Sequence, residues 1–211
     1  MSVVKLVSFP FCNLRSVARY LQVMGHEYSS LVDQADIDIS DTVILPGVGT
    51  FGEGMKYLSQ QGLIQPLRKH AQEGGKIVGI CLGMQLLLSE SDESPGIEGL
   101  SIVPGRCSRL LPKNNFAVPH IGWNNLVYNS KCIDAQLYID SDQIEVIEST
   151  DFYFVHSFVA KTDEKESEMF HFRHPDALQT AGLCKKNVIG FQFHPEKSGP
   201  SGYRLLEHFL R

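Results

Sequence analysis

Three short stretches of the chain carry residue types that covalent chemistry needs. The first is Gly79-Ile80-Cys81-Leu82-Gly83. It has the form of a nucleophile elbow, G-x-S-x-G, with Cys in the Ser position. A nucleophile on so tight a strand-to-helix turn sits in a strained backbone, and flanking glycines leave room where side chains would collide. The turn puts Cys81 at a helix N-terminus, where free N–H groups favour a thiolate and, chiefly through Leu82, can stabilise an oxyanion. A buried Cys with glycine punctuation gives the same pentapeptide. The second stretch is Gln192-Phe193-His194-Pro195-Glu196. In an extended chain residues i and i+2 point to one side, and Pro195 biases His194 towards that conformation. Glu196 can then reach back to the imidazole, fix its tautomer and favour the imidazolium, which completes a Cys–His–Glu arrangement. Taken alone, HPE is equally a surface turn ending a strand. The third is Leu45-Pro46-Gly47-Val48-Gly49-Thr50-Phe51. It lacks the G-K-[ST] and the glycine spacing of phosphate loops. A backbone N–H of the turn aimed at an oxyanion fits it better.

Something must bring these stretches together. Residues 3–9, 42–45 and 76–80 are apolar, strand-like runs. Between them lie helical patterns at 14–24 and 51–72, the latter broken near Gly62 and Pro66, and a further helix is expected at 82–89. Such alternation implies βαβ units and a mainly parallel sheet flanked by helices. From Leu100 to Phe193 the texture changes to short runs of Val, Ile, Tyr and Phe between turn residues, which predicts antiparallel strands and hairpins. The charge run at 161–168 reads as a solvated loop or hairpin tip, and a helix is expected from 199 to 210. The fold class is therefore mixed α/β with an antiparallel, β-rich second half. With no linker and no internal repeat, residues 1–211 read as one domain.

Composition narrows the function classes. Lys and Arg number 19 against 24 Asp and Glu, a net charge of -5, so no electrostatic attraction draws the chain to nucleic acid or an anionic membrane. No run reaches the ~18 apolar residues a membrane span needs, and the first residues lack the apolar core of a signal peptide. A cytoplasmic protein is expected. Cys12, Cys81, Cys107, Cys132 and Cys184 are odd in number and form no C-x-x-C pair, so they read as reduced thiols. His171 and His174 are spaced H-x-x-H, but with no carboxylate or Cys at ligand spacing they carry no metal expectation. No cofactor is implied either.

Read together, PGVGTF, GICLGMQLL and FQFHPEKSG, in this order and spacing, resemble the class I (triad) glutamine amidotransferases. More narrowly, Pro119 to Asn124 (PHIGWN) and Tyr153 to Phe158 (YFVHSF) resemble the branch of glutaminase subunits that serve a cyclase in histidine biosynthesis. The resemblance runs from Asn13 to the last helix and implies a flavodoxin-like architecture. It implies that Cys81, His194 and Glu196 hydrolyse L-glutamine, with Val48, Gly49 and Leu82 around the oxyanion. Gly49, Gln85, Glu93, Ser157 and Phe158 match positions that hold the glutamine. Asn13, His120, Trp123 and Lys197 match a face that docks a (β/α)8-barrel synthase subunit, which would receive the ammonia in a heterodimer. Solvated polar residues are the plain alternative for Gln85 and Glu93, and a half-buried core aromatic for Trp123.

The chain departs from the family at one place. Where the family usually shows Asp-aromatic-Gly-x-Gly-Asn-Leu, this sequence has Ser8-Phe9-Pro10-Phe11-Cys12-Asn13-Leu14. Pro10 and Cys12 do not adopt glycine-only conformations cheaply, so this loop takes a different path. The departure opens an alternative partner, a sugar amidotransferase of bacterial surface-polysaccharide synthesis. Outside the glutaminases, a non-catalytic scaffold and a cysteine peptidase on a related fold remain as other classes.

Overall fold

The computed structural model describes residues 3–12, 14–32, 37–113 and 116–210. Short apolar runs make β1 (Val4–Val7), β3 (Thr42–Leu45) and β4 (Lys76–Ile80), while the more polar β2 (Tyr28–Leu31), of which only Leu31 is buried, takes the sheet edge beside β1. Near-continuous apolar runs of this length are what a parallel sheet covered on both faces requires. Between them lie α1 (Arg15–Met24), α2 (Phe51–Gln60) and α3 (Ile64–Gln72), and the short helix α4 (Leu82–Leu86) follows β4 directly. The second half supplies β5 (Glu90–Ser91), β6 (Gly105–Arg109), β7 (His120–Asn125), β8 (Val127–Tyr128), α5 (Ser141–Glu148), β9 (Asp151–His156) and β10 (Phe158–Thr162). After these come β11 (Glu168–Arg173), β12 (Leu178–Lys185), β13 (Val188–Phe191) and α6 (Gly199–Leu210).

The main sheet has the order β2-β1-β3-β4-β13-β12-β11-β8. Its first five strands are parallel, and β12, β11 and β8 continue it antiparallel. Beside it stand a three-stranded sheet, β10-β6-β5, and the antiparallel pair β7-β9. Alternation along each strand divides the core in two. Ile44, Val78 and Ile80 pack with Val17, Tyr20 and Leu21 of α1 and Leu205, Leu206 and Phe209 of α6. Val43, Leu45 and Ile77 pack with Phe51, Met55 and Leu58 of α2 and Leu67 of α3.

The expected α/β architecture is present, with five differences. Strand β2 is not among the expected strands, since its YSSL run is mostly polar. Pro66 does not interrupt the second helical stretch. It is the third residue of α3, where the N–H it lacks would have had no helical partner, and the break falls at Gly62, whose φ is 67°. The helix after Cys81 ends at Leu86, not Ser89. Helix α5 lies where strands were expected; its start is marked by Asp140 and Gln143, which form a capping box. Finally, the charge run is not all solvated. Glu168 is buried, where its carboxylate accepts from Thr162 and pairs with Lys165 and His171.

Candidate active site

Strands β3, β4 and β13 are parallel neighbours, so their carboxyl ends open on one edge of the sheet, the usual place for a ligand in an α/β fold. Leu45 lies beside Gly79 and Phe191 beside Ile80. The residues that follow, Pro46 to Gly49, Cys81, and Gln192 to Glu196, are therefore delivered to the same place from three separate stretches of the chain.

Cys81 sits on the turn between β4 and α4 with φ 52° and ψ -106°, a positive φ that costs a non-glycine residue about 1–3 kcal/mol. The turn is held by the Cys81 N–H, which donates to the Phe191 carbonyl at 2.7 Å. Its glycines are there for space. A Cβ on Gly79 would lie 2.7 Å from the Gly83 carbonyl group, and one on Gly83 would collide with the Leu45 carbonyl. The Cys81 sulfur lies 3.8 Å from the Val155 carbonyl and 3.8 Å from the Gln192 amide nitrogen.

His194 follows β13 in an extended conformation, and its Nδ1 lies 2.8 Å from Oε1 of Glu196. Glu196 reaches it as the sequence suggests, but by a different route: Pro195–Lys197 form a 3-10 turn that folds the carboxylate back. Both side chains are buried, His194 at 3% exposure and Glu196 at 4%. Burial alone would push the His194 pKa down. Its interaction with the nearby Cys81 sulfur, then with Glu196, outweighs this and holds that pKa at about 10. The ring is thus an imidazolium at neutral pH. Its Nε2 has no hydrogen-bond partner among the described residues, which leaves that nitrogen free to pass a proton.

A cavity of about 270 Å³ opens over Cys81, small for a drug-sized ligand and suited to a compact polar one. Val48, Gly49, Leu82, Gln85, Glu93, Ser157 and Phe158 line it with Cys81, as do Pro119, Val155 and His156. Gln85 is buried and not solvated; its amide donates to the Phe158 carbonyl at 3.3 Å and to Gln192 Oε1 at 3.1 Å. Glu93 accepts the Phe51 N–H at 2.7 Å, at the start of α2. Gly49 has φ 118°, a value that side chains rarely tolerate. The N–H of Leu82 donates to the Gly47 carbonyl at 3.4 Å.

His120 is buried behind the cavity, not exposed on a face. Its Nδ1 lies 3.1 Å from Nε2 of His156, whose Nδ1 lies 2.8 Å from the Phe158 carbonyl. A carbonyl only accepts, so Nδ1 of His156 carries the proton and its Nε2 accepts from His120. Burial pushes His156 down to about 3, with the neighbouring His120 and His194 rings adding to it, and burial pushes His120 down to about 4. Both rings are neutral at neutral pH. Trp123 is no core aromatic: it is 57% exposed, beside Ile121 at 60%, and meets Tyr153 edge-on at 5.8 Å. Lys197 is exposed as well. Asn13 lies outside the described residues. His171 and His174 do not converge: His171 pairs with Glu168 and His174 with the Leu111 carbonyl.

Gln192, Val155 and His156 were missed as site residues. Gln192 left a signal, being a fully buried polar residue at the end of an apolar strand. Val155 acts through its carbonyl, which no side-chain pattern reveals.

A family model for the class-I glutamine amidotransferases matches residues 11–211. The chain is 38% identical, over 98% of its length and 97% of the relative's, to the imidazole glycerol phosphate synthase subunit HisH of Methanothermobacter thermautotrophicus. It is 37% identical to the subunit of the same name from Chlorobaculum tepidum, over 93% of this chain and 94% of that one. With subunit HisH 1 of Legionella pneumophila it shares 34% identity over the whole of both chains. Among solved structures, a glutamine amidotransferase superposes with a TM-score of 0.72 over 99% of both chains at 19% identity. A chain of PurLQS from Thermotoga maritima gives 0.70, over 99% of this chain and 97% of that one, also at 19%.

Proposed function

From the premise that the chain belongs to the class-I glutamine amidotransferases, we infer that it is the glutaminase subunit of an imidazole glycerol phosphate synthase. In this reading it hydrolyses glutamine to glutamate and passes the ammonia to a cyclase subunit of (β/α)8-barrel type, in the cytoplasm. The single observation that carries the chemistry is the meeting of Cys81 with the His194–Glu196 pair at the carboxyl ends of β4 and β13.

The Cys81 sulfur attacks the side-chain carboxamide carbon of glutamine, and charge gathers on the carboxamide oxygen. The Leu82 N–H and an N–H of the Val48-Gly49 turn stabilise that oxygen. His194 gives a proton to the departing nitrogen, which leaves as ammonia, and a thioester remains on Cys81. His194 then takes a proton from water, and the hydroxide attacks the thioester to release glutamate and return the thiol. Glu196 keeps the imidazole charged and turned so that Nε2 does this work. Gln85, Glu93 and the backbone of Ser157 and Phe158 hold the amino-acid end of the substrate. Trp123, Ile121 and Lys197 lie on the face offered to the partner.

Cys81→Ala is expected to abolish glutamate release, while added ammonium still supports product formation by the complex; glutaminase surviving in Cys81→Ala overturns the reading. The partner is tested by mixing the chain with a histidine-pathway cyclase subunit and glutamine. Imidazole glycerol phosphate is expected. The loop at 8–14 favours a second partner, a barrel paralogue that supplies a sugar amidotransferase, and complex formation with that protein alone would select it.

A further inference from the structure

Two of the N–H groups expected near an oxyanion beside Cys81, those of Leu82 and Val48, are engaged within the chain. The Leu82 N–H donates to the Gly47 carbonyl at 3.4 Å. The Val48 N–H donates to the Cys12 sulfur at 3.3 Å, and that sulfur donates its proton to the Val48 carbonyl at 3.4 Å. Cys12 therefore grips Val48 by both of its backbone polar groups. Only a protonated thiol can accept and donate in this way. Burial raises the Cys12 pKa, against the lowering by the Val48 N–H and with help from the charge of Cys81, so the thiol keeps its proton.

The loop that carries Cys12 is well placed to hold on. The Cys12 N–H donates to the Phe9 carbonyl at 3.1 Å. Phe11 stacks on Phe9 with ring centres 5.4 Å apart, and its ring lies under the turn, where a Cβ on Gly49 would come within 3.0 Å of it. A trans peptide directs its C=O and N–H to opposite sides. The Gly47–Val48 peptide thus turns its carbonyl to the start of α4 and its N–H to Cys12. A carbonyl there opposes negative charge on a substrate oxygen, whereas an N–H would stabilise it.

We propose that Cys12 is a positioning residue for the glutaminase reaction: its thiol holds Val48 with the N–H committed away from the oxyanion, and so keeps the site at low turnover. The inference rests on the glutaminase reading of Cys81. It predicts that Cys12→Ala, assayed as the full chain without partner, raises kcat for glutamate release by about fivefold, the effect of one lost hydrogen bond on a two-state turn, with KM unchanged. Cys12→Val, which fills the space of the thiol without a donor or acceptor, gives the same readout should the smaller residue unfold the loop. Cys12→Ser, which keeps both, brings the rate back towards the resting value. A kcat in Cys12→Ala and Cys12→Val that is unchanged or lower overturns the proposal, as does a Cys12→Ser variant as fast as Cys12→Ala. Cys81→Ala is run beside them. Residual glutamate release there overturns the glutaminase reading itself, whereas an inactive Cys81→Ala with no gain from Cys12 substitution overturns only the role of Cys12.

Discussion

Glu196 is a buried carboxylate whose one described contact of consequence is the His194 ring, 2.8 Å away. Glu196→Gln keeps the shape and removes the charge. It is expected to lower kcat by about a hundredfold or more, because the imidazole loses its preferred tautomer and part of its charge stabilisation. The pH dependence of stability tests the same pair. The His194 pKa is raised from 6.5 to about 10 on folding. Its contribution is complete below pH 6.5 and is lost as pH rises through about 10. Denaturant unfolding between these limits should show that loss in the wild type, with a shallower slope in Glu196→Gln and shallowest in Cys81→Ala, which removes the leading interaction that raises the His194 pKa. Equal slopes in all three chains would contradict the assignment. At this scale the sequence was informative where side chains act: Cys81, His194 and Glu196 carry their chemistry in their names. It was silent on the Val155 carbonyl, and on the bond between His120 and His156, which depends on two strands pairing in one register.

Strand β4 and helix α4 meet at a turn with almost no slack. Gly83 sits where any Cβ would collide with the Leu45 carbonyl of the neighbouring strand. Gly83→Ala should therefore push α4 off the end of β3, at a cost of about 3 kcal/mol in stability. Because the same shift moves Cys81, glutaminase activity should fall before the protein unfolds. Thermal unfolding and activity measured on one sample check both; an unchanged midpoint would show that the turn has more room than its geometry implies. Elements were legible in the sequence where one force dominated. Apolar runs with no competing pattern defined β3 and β4 to the residue. The helix α5 was not legible, because its eight residues bury only Ile147 and so leave a weak helical period. Pro66 misled for the opposite reason: a strong local rule, helix breaking, does not apply in a first turn.

Taken whole, the chain is an α/β sheet with a β-rich flank and a cavity over Cys81. No helix among the described residues is long and apolar enough to cross a membrane, and the net charge is -5. The parallel half could be read from alternating strands and helices. The partition of the second half into an extension of the main sheet and two smaller sheets could not, since antiparallel strands of similar composition pair in many orders and only long-range packing chooses among them. That partition matters for docking. It leaves the β7-β9 pair with Ile121 and Trp123 on its outer side, next to the turn that carries Glu196 and Lys197. Trp123 is also the only tryptophan of the chain, which turns an exposed side chain into a built-in optical reporter. Its indole now faces water and should emit at long wavelength. Titrating in a tryptophan-free synthase subunit should shift that emission to the blue and quench its accessibility to iodide, with no label attached. If the spectrum stays where it is while the complex forms, docking uses another face.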